Sequence, residues 1–280
     1  MGSDICVMPM PVRVMPRRYF PAHRHNRMKF EGDSAYARAA FLARRPNNLT
    51  FLLRNRYDWM NRYIRPDDVA VEIGCGAGLA EFFITARNLL LTEIVAHPWV
   101  DICLDALHLP FAPASVDVFI CSNVIHHVPS PMRFLRDIHG CLKPNGYLLI
   151  QEPHPSLLFL LALRIMRHEG WSFDVDVFDP AAQVNDPADA WSGNNAVSYL
   201  LFRDLEEFAR RVPGFRVVYD RCMECLLFPL SGGVTAKTGT IELPMPVLGA
   251  LAWLDRLLCR LSPSVFAMGR SIALQKVPVD

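Results

Sequence analysis

Neither sign of charge dominates this chain. Its 280 residues carry 29 Lys and Arg against 28 Asp and Glu, a net charge of +1. A surface built to hold a polyanion needs a basic excess, so nucleic acid is not an expected partner. Long apolar runs are missing too. No uncharged stretch reaches the roughly 20 residues that a bilayer-spanning helix requires, so no integral membrane segment is expected. Residues 1–20 hold three Pro and three Arg in place of the unbroken apolar stretch of a secretory leader. The eight cysteines are scattered singly apart from Cys222 and Cys225, a usage that fits a reducing compartment, and the expected location is the cytoplasm. That pair has metal-ligand spacing, but no second pair or nearby His completes a zinc set, so no metal is expected there. There is no internal repeat. With 51% hydrophobic and 20% charged residues the chain has enough apolar material for one large buried core.

Residues 1–45, rich in Pro, Arg and Met, show no sustained periodicity and read as an irregular N-terminal arm preceding a domain over 46–280. Apolar positions from Leu49 to Ile64 recur at helical spacing until Pro66. Short β-branched runs then follow at 69–73, 89–92, 100–104, 116–121 and 147–151. Between the last two, Ser130-Pro131 opens a helix carrying Phe134, Leu135, Ile138 and Leu142 on one face, so the connection is a parallel crossover. Later segments predict helices over 156–166 and 203–211 and strands over 215–220 and 271–275. The stretches near 168–200 and 226–268 are too long for simple connections and are expected to build a lid. Leu248, Leu251, Leu254, Leu258 and Leu261 mark one apolar face of a helix there, most simply packed on its own domain.

The most specific local pattern is Val71-Glu72-Ile73-Gly74-Cys75-Gly76-Ala77-Gly78, a strand running into a glycine loop with a helix starting near Leu79. Glycines let backbone pass close to a ligand, and a following helix offers unpaired N–H groups to an anionic group. A dinucleotide fingerprint would need a third glycine where Leu79 stands, and a phosphate-cradling loop would need Gly-Lys-Ser/Thr. Both are absent.

Here the chain resembles the class I S-adenosylmethionine-dependent methyltransferases, whose first motif is an acidic residue followed by Gly-x-Gly-x-Gly. The resemblance continues through Glu93, through Asp105-Ala106 with Leu109-Pro110-Phe111, and through Ser122-Asn123-Val124-Ile125-His126-His127-Val128. Leu142-Lys143-Pro144-Asn145-Gly146 completes it, with Asn145 replacing a glycine. It implies an α/β Rossmann-like sheet of seven mostly parallel strands with helical lid insertions, and S-adenosyl-L-methionine as cofactor. It places Glu93 on the ribose hydroxyls and Asp105 near the adenine. The cofactor-binding set it implies is Glu72, Gly74, Cys75, Gly76, Gly78, Glu93, Ile94, Asp105, Ala106, Leu107, Ser122 and Asn123. Because Glu93 and Asp105 are close in sequence, the family's second helix should shrink to a turn around Pro98, with Trp99 or Ile94 covering the adenine.

A sulfonium methyl is already activated, so such an enzyme must mainly align donor and acceptor and remove a proton. His126 and His127 stand at the carboxyl end of a strand, where open α/β sheets bind ligands, and are the expected catalytic residues. The expected function is methyl transfer to a small-molecule acceptor, at an oxygen of a secondary metabolite or glycan. The alternatives on the same fold are a protein that binds the cofactor without transferring from it and a cofactor-assisted lyase or cyclase. Lid candidates are Glu152, His154, His168, Glu169, Trp191, Asn194, Asn195 and Ser231-Gly232-Gly233.

Overall fold

The computed structural model describes residues 19–20, 30–166, 169–186, 192–234 and 239–278. Seven strands form one sheet. In chain order they are β2 (Val69–Ile73), β3 (Asn88–Glu93), β4 (Ile102–Cys103), β5 (Val116–Ser122), β6 (Leu142–Pro153), β8 (Phe215–Met223) and β9 (Gly269–Lys276). Their spatial order is β4-β3-β2-β5-β6-β9-β8. The first five are mutually parallel, and β9 runs antiparallel between β6 and β8. Two further short strands, β1 (Tyr19–Phe20) and β7 (Trp171–Ser172), pair antiparallel apart from this sheet.

Both faces of the sheet are covered, which is why its strands read as continuous apolar runs and not as alternating ones. On one face Val71, Phe119, Leu148 and Leu274 pack with α3 (Pro131–Cys141), whose Phe134, Leu135 and Ile138 are buried. Pro131 sits in the first turn of that helix, where its missing N–H costs nothing. Beyond it, Asn145 takes a φ of 63°, the left-handed turn that a glycine would otherwise supply.

On the other face Ala70, Val118, Leu149 and Ala273 pack with α1 (Phe30–Arg44) and α2 (Asn47–Tyr57) through Ala37, Phe41, Leu52 and Leu53. Residues 30–44 are therefore not the irregular arm the sequence suggests. They form a helix whose Ala37 and Phe41 close the core. The helix expected after the glycine loop is only a single 3₁₀ turn, Leu79–Phe82, because α1 and α2 already cover the surface around it: Leu79 and Ala80 lie in the same cluster as Phe41 and Leu53.

The later segments carry α4 (Leu157–Met166), α5 (Val197–Phe202), α6 (Leu205–Arg211), α7 (Leu227–Ser231), α8 (Met245–Leu261) and α9 (Pro263–Phe266). Apart from β7, the described residues of 169–196 are turns, bends and loop with one isolated bridge between Gly170 and Asn194. Asn194 N–H donates to the His126 carbonyl at 2.8 Å, and the Asn185 amide donates to the same carbonyl at 2.6 Å. These bonds hold the segment over the carboxyl edge of the sheet. Helix α8 buries Leu248, Ala252, Asp255 and Cys259 and packs Leu251 and Leu258 against the core, while Leu254 and Leu261 face solvent, so three of the five leucines lie on the packed face. Asp255 anchors the helix by accepting the N–H of Leu226 at 2.6 Å. Among the described residues no helix is long and apolar enough to cross a membrane.

Candidate functional site

A cavity of about 880 Å³ opens at the carboxyl edge of β2, β3, β5 and β6. Its first wall is the glycine loop. Gly74, Gly76 and Gly78 all have positive φ (66°, 51° and 64°), so side chains would strain the backbone at each. The three serve different ends. A Cβ on Gly76 would meet no protein atom within 4 Å, because this residue borders the cavity. A Cβ on Gly74 would lie 2.8 Å from Val124, and one on Gly78 would lie 2.4 Å from the Trp99 ring. Gly78 is thus a packing residue set back from the cavity. Cys75 lines it, its thiol kept protonated by burial and the neighbouring Glu72 and Glu93 carboxylates.

Glu93, at the end of β3, accepts the Gly76 N–H on one carboxylate oxygen and the Ile94 N–H on the other, both at 2.8 Å. These bonds fix both oxygens at the cavity wall. Glu72, at the end of β2, is 1% exposed and accepts the Tyr57 hydroxyl at 2.9 Å on Oε1, whereas its buried Oε2 has no hydrogen-bond partner. Burial raises its pKa to about 8, which favours the protonated carboxyl at neutral pH.

The stretch between β3 and β4 has no helix, as its shortness predicts. Trp99 stacks on His97 and donates its Nε1–H to the Gly76 carbonyl at 2.9 Å, bracing the loop from behind. Arg38 of α1 donates to the Ala77 and Gly78 carbonyls, its guanidinium 4.9 Å from the Trp99 ring. Of the two expected adenine covers, Ile94 lines the cavity and Trp99 does not. Asp101 is occupied in accepting the Leu91 N–H. Asp105, Ala106 and Leu107 lie on the cavity rim, where Asp105 accepts the Leu107 N–H at 2.8 Å and contacts His108. Ser122 and Asn123 also line the cavity, and Asn123 adopts a φ of 59° that turns the chain out of β5.

The opposite wall carries the histidines. His126 is 2% exposed, and its Nδ1 lies 2.6 Å from Glu152 Oε2. Glu152, fully buried, also accepts the Val124 and Ile125 N–H groups. Burial alone would lower the His126 pKa, but the adjoining Glu152 carboxylate outweighs it and holds the value above the ordinary one. For His127, burial and the neighbouring His126 push the pKa down to about 4. Its Nδ1 faces the Ser192 carbonyl at 3.2 Å. The adjacent rings are 4.1 Å apart, and both line the cavity.

Of the lid candidates, Glu152, Glu169, Asn195, Gly232 and Gly233 line the cavity, whereas His154 and Asn194 are buried away from it. His168 and Trp191 lie outside the described residues. The sequence gives no hint of Arg56, Tyr57 or Glu224, which also line the cavity; Arg56 and Glu224 form a buried two-bond ion pair at 2.7 Å. A helical period marks Tyr57 as a core residue and says nothing of its hydroxyl on Glu72.

Comparison with known proteins bears on this geometry. Residues 71–150 match a family model described as a methyltransferase domain. A highly reducing polyketide synthase of Alternaria alternata is 33% identical over 79 residues, covering 28% of this chain and 3% of that protein. The mitochondrial arginine-hydroxylase NDUFAF5 of Mus musculus is 32% identical over 91 residues, covering 28% of this chain and 26% of that protein. The chain thus spans about a quarter or less of the length of these curated relatives. Among solved structures, the putative methyltransferase complexed with its Trm112 activator from Haloferax volcanii is 14% identical, with a TM-score of 0.49 covering 90% of this chain and 97% of that one. The family match begins within the strand that delivers Glu72 and ends within the strand that delivers Glu152, and so embraces the glycine loop, Glu93 and the histidine pair. The match to a methyltransferase domain thus covers residues 71–150, within a seven-stranded sheet that has the class I S-adenosylmethionine-dependent methyltransferase fold.

Proposed function

We propose that the chain methylates an oxygen of a small-molecule acceptor held in the same cavity as the donor. The observation that carries this reading is the continuity of one cavity from the open backbone at Gly76 to the His126-His127 pair. S-adenosylmethionine, when bound, supplies an electrophilic methyl group on a sulfonium.

The residues present suit it. Space at Gly76 admits a ligand against bare backbone, and the two Glu93 oxygens, each holding one N–H, keep lone pairs for two ribose hydroxyls. Glu72 Oε2 is a buried acceptor without a donor, the kind of atom that an ammonium group satisfies. Asp105, Ala106 and Leu107 supply the rim for the adenine, with Ile94 over its face, while Cys75, Ser122 and Asn123 complete the walls. The described parts of the insertions near 168–200 and 226–268 place Glu169, Asn195, Gly232 and Gly233 on the cavity wall, where a lid would exclude water.

Beyond alignment the chain must take the acceptor's proton. Glu152 holds the Nδ1 side of His126, which turns Nε2 towards the opposite side and keeps the imidazole basic enough to accept a proton near neutral pH. His127, with its pKa near 4, is too weak a base and serves to orient the acceptor. Two histidines beside the donor site favour a hydroxyl acceptor, since an amine or thiol needs less help in losing its proton. Incubating the protein with methyl-labelled donor and cell extract, followed by mass spectrometry, tests the reading. A product heavier by one methyl is expected, together with S-adenosylhomocysteine. Binding without any methylated product would favour the non-transferring alternative, and turnover without donor consumption the lyase or cyclase.

A further inference from the structure

We infer that His126, His127 and Glu169 form a binding site for a divalent transition cation on the cavity wall. One nitrogen from each ring and one carboxylate oxygen lie within 4.8 Å of one another. His126 Nε2 is 3.7 Å from Glu169 Oε2, and His127 Nε2 is 3.8 Å from Glu169 Oε1. Each ring thus approaches a different oxygen of the same carboxylate, beyond ordinary hydrogen-bond length. Ligands on a tetrahedral ion with bonds of about 2.1 Å stand about 3.4 Å apart, so closing on a cation takes a contraction of at most about 1.4 Å between any two of them.

The tautomers follow from the partners. The Ser192 carbonyl can only accept, so His127 carries its proton on Nδ1; the Glu152 carboxylate likewise calls for the proton on Nδ1 of His126. In the neutral ring the lone pair is therefore on Nε2 in both residues, and both Nε2 atoms are the ones turned to Glu169. A backbone carbonyl or carboxylate behind each imidazole is the arrangement that orients histidine ligands in metal sites. Glu169 is fixed in turn by the Asn195 amide at 2.9 Å, and Asn195 is fully buried with an Oδ1 that has no hydrogen-bond partner.

Two imidazoles and one carboxylate, with no thiolate, match the ligand set of an open zinc-type site, whose remaining position faces the cavity. An oxygen of the acceptor would take that position; with the cation bound, His126 Nε2 is a ligand and no longer a base, so the hydroxyl acidified by the cation would give its proton to solvent in place of His126. This role for the cation rests on the acceptor reading above; the site itself does not.

The test is a titration of the metal-free full chain with Co²⁺, followed by visible absorption, beside His127→Asn and Glu169→Gln. One saturable equivalent with the intense bands of a low-coordinate nitrogen and oxygen site is expected. Each variant should weaken it by at least about tenfold. Glu169→Gln, a change at a partly exposed residue, should fold as the parent does, which circular dichroism reads. Zn²⁺ should raise the melting temperature of the parent and leave that of Glu169→Gln unmoved. Absence of a saturable signal, undiminished binding in both variants, or thiolate-to-cobalt charge-transfer absorption would each overturn the assignment. If Co²⁺ behaves as expected while S-adenosylmethionine fails to bind, the donor reading fails and the metal site stands.

Discussion

Glu72 and the histidine pair show how single residues are tuned by what surrounds them. Glu72 holds a proton up to about pH 8 because burial disfavours its charge. A bound ammonium group favours the ionised form, so donor binding must expel that proton, and affinity should rise with pH until about 8. Calorimetry in buffers of different ionisation enthalpy should show a proton released on binding, and Glu72→Gln should abolish both the release and the pH dependence. Affinity that is flat in the parent would mean that Glu72 does not meet the ligand's amine. The histidines should respond unequally. His126→Ala removes the imidazole bonded to Glu152 and should lower turnover about 10²- to 10⁴-fold with donor affinity nearly intact, whereas His127→Ala should mainly raise the acceptor KM. A loss below about threefold for His126→Ala in a folded protein would remove that residue from proton transfer.

At the scale of elements, the glycine loop is held from two sides by parts that the family pattern does not require. The loop is followed by one 3₁₀ turn where a helix was expected, and the second helix is replaced by a turn carrying Trp99. Support comes instead from Trp99 behind Gly76 and from Arg38 of α1 on the Ala77 and Gly78 carbonyls. Gly78→Ala should therefore disturb the loop through packing. The added Cβ would sit 2.4 Å from the Trp99 ring at a φ of +64°, and about 1 to 3 kcal/mol of stability should be lost. Chemical denaturation reads this directly. Stability equal to the parent's would show that Trp99 is free to move aside and does not brace the loop.

Across the molecule, what could be read from sequence is what is local. Val69–Ile73 and the later runs are short and apolar, and each of the seven sheet strands overlaps one of them. The glycine loop, Glu93 and the histidine pair were legible because their order and spacing lie within 71–150, the span of the family match. Helix α1 was not, because small residues around Ala37 give only a faint apolar stripe and the Pro-rich residues before it mask the change. The Arg56–Glu224 pair and the meeting of Glu169 with the histidines are contacts between distant segments that no local period records.

The central claim is that the cavity beside Gly76 holds the methyl donor. Isothermal calorimetry of S-adenosylmethionine against the parent and Gly76→Val tests it most directly, since the valine side chain would project into space that no protein atom within 4 Å of its Cβ occupies. One site per chain in the parent and no detectable binding in a folded Gly76→Val protein is the result expected. Binding by the variant equal to the parent's would contradict the account.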